Sequence, residues 1–131
     1  NFNDSIPQRE GTKKTYFYDN GILNLFLFQP ETKLLENIVA IRLYKQYGEA
    51  LYYYNKQMEV DFIVPDAHLA VQVCYSLRDS QTRNREVNAL VCLSRFMNIN
   101  TALVITKDQE ETIVQEGINI EVIPAWKWLT D

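Results

Sequence analysis

Glu59-Val60-Asp61-Phe62-Ile63-Val64-Pro65-Asp66-Ala67-His68-Leu69-Ala70-Val71-Gln72-Val73-Cys74-Tyr75 is the stretch on which the fold turns. Two apolar, β-branched runs flank a Pro-Asp-Ala-His turn, so it reads as an antiparallel hairpin with strands over 59–64 and 69–75. In such a pair the numbers of facing residues sum to a constant set by the turn. A turn centred between Asp66 and Ala67 sets Asp61 against Gln72. Side chains alternate, so Asp61 and Gln72 share a face with Ile63, Ala70 and Cys74. Val60, Phe62, Val64, Leu69, Val71 and Val73 make the opposite, apolar face. A carboxylate, an amide and a thiol therefore gather on one side of two inner strands. A buried carboxylate in mid-strand is costly unless compensated, so a cation, a metal or a cleft open to water is expected beside Asp61.

Upstream of the hairpin, Ala50 to Tyr54 is aromatic and β-prone, and Asn55 to Gln57 makes a turn. Before that lies a helix. Pro30 suits its first position, Glu31 meets the positive end of its dipole, and Gly48 stops it. Leu34, Leu35, Ile38, Val39, Ile41 and Leu43 form a broad apolar face, with Glu36 at its border and Arg42 inside it without a partner legible in the sequence. Residues 1–30 read as an arm: polar to Lys14, then a β-like Thr15-Tyr16-Phe17-Tyr18, a turn at Asp19-Asn20-Gly21 and a short helix over 22–25.

Downstream, Asp79 or Ser80 caps a long helix that runs to about Met97, with Val87, Leu90, Val91, Leu93 and Phe96 inward. Thr101 to Thr106 is the kind of run expected inside a parallel sheet. Asp108-x-x-Glu111 resembles a capping box and predicts a short helix to Gln115, closed by Gly117. Ile118 to Ile123 alternates as a last strand, and Ala125-Trp126-Lys127-Trp128-Leu129 is a short amphipathic helix.

The 131 residues, 47% hydrophobic and 23% charged, are ordinary for one globular domain. No apolar run approaches the roughly 20 residues of a membrane span, and the start carries no secretory signal. It also lacks an initiator Met, so the chain reads as a piece of a longer one, or as one whose beginning is not shown. Lys and Arg total 13 against 17 Asp and Glu, a net charge of −4 that disfavours non-specific nucleic-acid binding. Cys74 and Cys92 form no C-x-x-C pair and His68 completes no zinc spacing, so reduced thiols in a cytoplasmic setting are expected. Glycines at 11, 21, 48 and 117 exclude a phosphate-binding G-x-x-x-x-G-K-[ST] loop.

A helix bearing Glu36, a three-strand meander bearing Asp61 and Gln72-x-Cys74, a long helix and a further strand together resemble the PD-(D/E)-x-K nuclease-like fold. The segments Tyr16-Phe17-Tyr18-Asp19-Asn20-Gly21-Ile22-Leu23, Leu34-Leu35-Glu36-Asn37-Ile38-Val39, Glu59-Val60-Asp61-Phe62-Ile63-Val64 and Val122-Ile123-Pro124-Ala125-Trp126-Lys127-Trp128-Leu129 are more specific in their order. They resemble the uncharacterised C-terminal domain that follows the ATPase domain in many prokaryotic AAA-type ATPases. The resemblance implies a restriction-endonuclease-like α/β domain over 31–131, behind the arm over 1–30, with a mixed sheet in the order α-β-β-β-α-β-(α)-β. It implies as partners the ATPase domain of the same parent chain and DNA, no membrane, and an oligomer as a further possibility.

In active nucleases of this fold, Asp and Glu hold Mg²⁺, which polarises the scissile phosphate and, with a Lys, makes a hydroxide nucleophile. Asp61 and Glu36 are the matching metal candidates, and Mg²⁺ is the cofactor the resemblance implies. Gln72 offers only an uncharged carbonyl, and Cys74 cannot act as an ammonium. The degenerate set Glu36, Asp61, Gln72 and Cys74 thus points to a DNA- or partner-binding module that does not cleave. The rival reading is an active Mg²⁺-dependent nuclease in which a relocated amine such as Lys56 serves; a third is a structural oligomerisation domain. Asp61 and Gln72 as a register-fixing pair, with Cys74 as a small core residue, is the plainer account of those positions. Arg83 and Arg85, at the start of the long helix, suit a phosphate, against local pairing with Asp79 and Glu86. Tyr52, Tyr53, Tyr54, Trp126 and Trp128 are better explained by packing than by base stacking, and His68 is expected in solvent.

Overall fold

Pro30, whose fixed φ matches a helix's first turn, opens helix α1 (Pro30–Tyr47). The computed structural model describes residues 30–54 and 59–131. The expectations for the arm, and for the turn at Asn55 to Gln57 with Lys56, lie outside the described residues. Helix α1 ends at Gly48, whose φ of +56° favours a residue without Cβ. Its buried stripe is Leu35, Val39, Ala40 and Leu43, narrower than the pattern suggested. Leu34 and Ile41 are 50% and 42% exposed, because steps of four from Leu35 fill the strip that meets the sheet.

A 3₁₀ turn (Gly48–Ala50) takes the start of the expected strand, leaving β1 as Tyr52–Tyr54. The hairpin follows as β2 (Val60–Val64) and β3 (Leu69–Val73), joined by a 3₁₀ turn over Pro65–Ala67. Phe62 faces Val71, Ile63 faces Ala70 and Val64 faces Leu69, the register the centred turn requires. Val60 departs from the expected alternation. It packs with Ile63, Ala70 and Cys74, away from Phe62 and Val64. The cause is a register shift against β1, where Tyr52 faces Ile63 and Tyr54 faces Val60; the extra β2 residue turns Val60 to the other face. His68, at φ +53°, does not simply stand in solvent. Its carbonyl accepts from the amides of Asn100 and Thr101, and its Nδ1 lies 3.0 Å from the Asn98 oxygen.

Helix α2 (Ser80–Ser94) is capped by Asp79, whose carboxylate accepts from the Thr82 amide at 2.9 Å. It ends sooner than predicted. Tighter bonds from the amides of Arg95 and Phe96 to Cys92 and Leu93 turn the chain toward the sheet, leaving Phe96 53% exposed rather than inward.

Strand β4 (Thr101–Thr106) lies parallel between β3 and β6 (Ile118–Pro124), buried on both faces as its composition demands. The helix expected after Asp108 is a strand, β5 (Glu111–Gln115), paired antiparallel with β6. One side chain of that box and the groups of the residue between are engaged elsewhere. The Gln109 amide donates to Thr106 Oγ1, its side-chain oxygen takes the Leu77 amide, and the Glu111 carboxylate meets Arg83. Thr112, Ile113 and Val114 favour extended backbone, and Glu116 and Gly117, both at positive φ, make a tight hairpin turn.

Among the described residues the sheet has six strands in the order β1-β2-β3-β4-β6-β5, antiparallel at both ends and parallel at its centre. The protein is therefore an α/β domain with a mixed sheet, in the observed order α-β-β-β-α-β-β-β-α. One face packs on Val87, Leu90, Val91 and Leu93 of α2. The other packs on α1 and on Ala125 and Trp128 of the last helix, α3 (Ala125–Thr130). Arg42 finds its partner in α3: its Nη1 donates to the Leu129 carbonyl at 2.9 Å, and its guanidinium lies 5.9 Å from the Trp128 ring centre. Among the described residues no helix is long and apolar enough to cross a membrane.

Candidate functional site

The backbone ladder between β2 and β3 stops at Phe62 and Val71. One residue further, side chains take over. The Asp61 amide donates to Gln72 Oε1 at 2.9 Å, and the Val73 amide donates to Asp61 Oδ2 at 2.7 Å. Where the ladder ends, the starts of α1 and α2 flank a cavity of about 550 Å³. Thr32, Lys33 and Glu36 line it from α1, and Thr82, Arg85 and Glu86 from α2. Glu59, Asp61 and the segment from Val73 to Ser76 form the sheet side.

Of the expected site residues, Glu36, Asp61 and Cys74 line this cavity. Glu36, only 8% exposed, accepts from Lys33 Nζ at 3.1 Å. Gln72 is fully buried and does not line the cavity. Its Nε2 donates to the carbonyls of Glu59 at 3.0 Å and Glu86 at 3.3 Å. Every polar atom of its amide is thus engaged by backbone. Cys74 Sγ donates to the Ser76 carbonyl at 3.0 Å.

Electrostatics favour the protonated form of the inner acids. Burial, then the charges of Glu36 and Glu86, push the Asp61 carboxyl well above the usual carboxylate range, against the Val73 amide that favours its ionised form. Burial pushes Glu86 up to about 7, opposed by Arg85 and reinforced by Glu59 and Glu36. Burial and the nearby Glu86 also raise the Cys74 thiol, which is then neither a thiolate nor a replacement for an amine.

Glu86 is the site residue that sequence reasoning missed, since it pairs as readily with a neighbouring arginine on paper. It precedes the fully buried Leu90 by four residues, so carrying the inward stripe of α2 back one turn would have found it. The two arginines part company. Both terminal nitrogens of Arg83 bond the Glu111 carboxylate at 2.8 Å, so its fork is occupied. Arg85 lines the cavity with its side chain 71% exposed, 3.9 Å from Glu86.

Mg²⁺ does not fit this donor set. Among the described residues no three of His, Cys, Asp and Glu stand close enough to share a cation. The Gln72 oxygen is bound to the Asp61 amide, and one Asp61 oxygen to the Val73 amide. A hard cation needs such oxygens free. No protein-family model, no curated protein and no solved structure matches the chain.

Proposed function

We propose that this chain is a nuclease-like accessory module of an AAA-type ATPase that holds a partner and does not cleave nucleic acid. The observation that carries the reading is the state of the two positions where the nuclease pattern places its third ligand and its lysine. Gln72 spends its whole amide on backbone, and Cys74 is a thiol bonded to Ser76. Neither can hold a metal or assist a hydroxide as they stand. The restriction-endonuclease-like assignment is supported by the β1-β2-β3-β4 portion of the sheet, two antiparallel steps and then a parallel one, with α1 before it and α2 as the crossover.

Of the two partners, the ATPase domain of the same parent chain is favoured over DNA. The net charge is −4. Arg83 is neutralised by Glu111, which leaves Arg85 as the exposed member of that pair. A cytoplasmic setting fits two free thiols.

The test is nicking of supercoiled DNA in Mg²⁺ or Mn²⁺ by the wild type and by Asp61→Ala. No metal-dependent nicking by either is expected. Cleavage by the wild type that Asp61→Ala abolishes would establish the nuclease instead.

A further inference from the structure

The Gln72 side chain ties three parts of the chain at one point. Its oxygen holds the Asp61 amide of β2, and its nitrogen holds the Glu59 carbonyl just before β2 and the Glu86 carbonyl of α2. Asp61 returns the connection by accepting from the Val73 amide of β3. In a metal-dependent site, a cation would draw such elements together through carboxylates. Here an amide does so through backbone, at a position with no exposure to water. We infer that the Gln72 amide takes the structural place of a divalent cation in this cavity, so that the cavity binds neither Mg²⁺ nor Mn²⁺, and that Gln72→Glu unties the site instead of restoring a metal centre.

The chemistry is directional. Gln72 Nε2 carries two hydrogens, and both face carbonyl oxygens. A carboxylate at this position would set an oxygen against those same two carbonyls, at 3.0 and 3.3 Å. Protonation could restore at most one of the two bonds. The acids nearby, Asp61, Glu86, Glu59 and Glu36, add repulsion. Buried carbonyls deprived of donors destabilise a fold more than the original bonds stabilised it.

The inference rests on the nuclease-like reading of the site, yet it fails separately. The 131-residue chain is titrated with Mn²⁺ while the free-ion electron paramagnetic resonance signal is followed, for the wild type and for Asp61→Asn. Unfolding midpoints of the wild type and Gln72→Glu are then compared with and without millimolar Mg²⁺. The expected results are an undiminished free Mn²⁺ signal with both proteins, and a wild-type midpoint that Mg²⁺ leaves unchanged. Gln72→Glu should unfold about 5–15 °C lower, without rescue by Mg²⁺. Uptake of one Mn²⁺ per chain, relieved by Asp61→Asn, would overturn the inference. So would a Gln72→Glu protein that keeps its midpoint and gains stability from Mg²⁺. If Gln72→Glu does not fold at all, the wild-type titration decides alone. Bound Mn²⁺ without DNA nicking would sink this inference and leave the proposed function standing.

Discussion

Glu86 titrates near neutrality because the fold removes its carboxyl from water beside other acids. Stability then depends on pH. The pKa is raised from the ordinary 4.5 to about 7, so the folded state binds the proton more tightly than the unfolded chain. The resulting stabilisation is fully present below about pH 4.5 and is lost as pH rises through about 7, a span worth roughly 3 kcal/mol. Asp61 acts in the same direction, since its pKa is also raised. Glu86→Gln keeps the neutral shape at every pH. Urea unfolding should therefore find this variant more stable than the wild type by about 2–3 kcal/mol near pH 8, with little difference near pH 4. A variant less stable than the wild type near pH 8 would contradict the assignment. At this same scale the pairing of Asp61 with Gln72 was legible, because a hairpin turn fixes which residues face each other. The bonds they make were not. Which oxygen meets which amide depends on the ladder stopping one residue earlier.

Strand β5 shows what an element needs beyond a local signal. Asp108-x-x-Glu111 has the residues of a helix start, but the Glu111 carboxylate serves Arg83, and Gln109 beside Asp108 bonds Thr106 and Leu77. A free edge of β6 was available to pair with, and three β-branched residues accepted it. The hairpin depends on its turn, where Gly117 sits at φ +80° with open space where a Cβ would stand. The cost of a side chain there is thus backbone strain and not a clash. Gly117→Ala should destabilise the protein by about 1 kcal/mol, read from the denaturant midpoint. A stabilising effect would show that the turn adopts another conformation. The β1–β2 register shift belongs at this scale too. No residue in Glu59 to Val64 announces it, because the shift arises from how β1 lies against β2.

Among the described residues of the whole molecule, helices cover both faces of a sheet with β3 and β4 at its middle and β1 and β5 at its edges. Both faces of β4 are covered, so its amides can exchange only through extensive opening. Amide hydrogen exchange should be slowest in β3 and β4 and faster in β5, whose Thr112 and Val114 are exposed. Protection in β5 that outlasts β4 would contradict this layering. Much of the architecture was legible in the sequence. The alternation of 59–64 and 69–75, the apolar run at Thr101 to Thr106 and the cap at Asp79 each bias local backbone directly, and the α/β order follows from them. The tertiary structure alone decided that Glu86 joins Glu36 and Asp61 around one cavity, that Arg83 is taken by Glu111 while Arg85 is not, and that Arg42 holds the last helix. Those pairings lie between segments far apart in the chain. Local periodicity sets which way a side chain points along its own element, but not which distant element packs within reach of it.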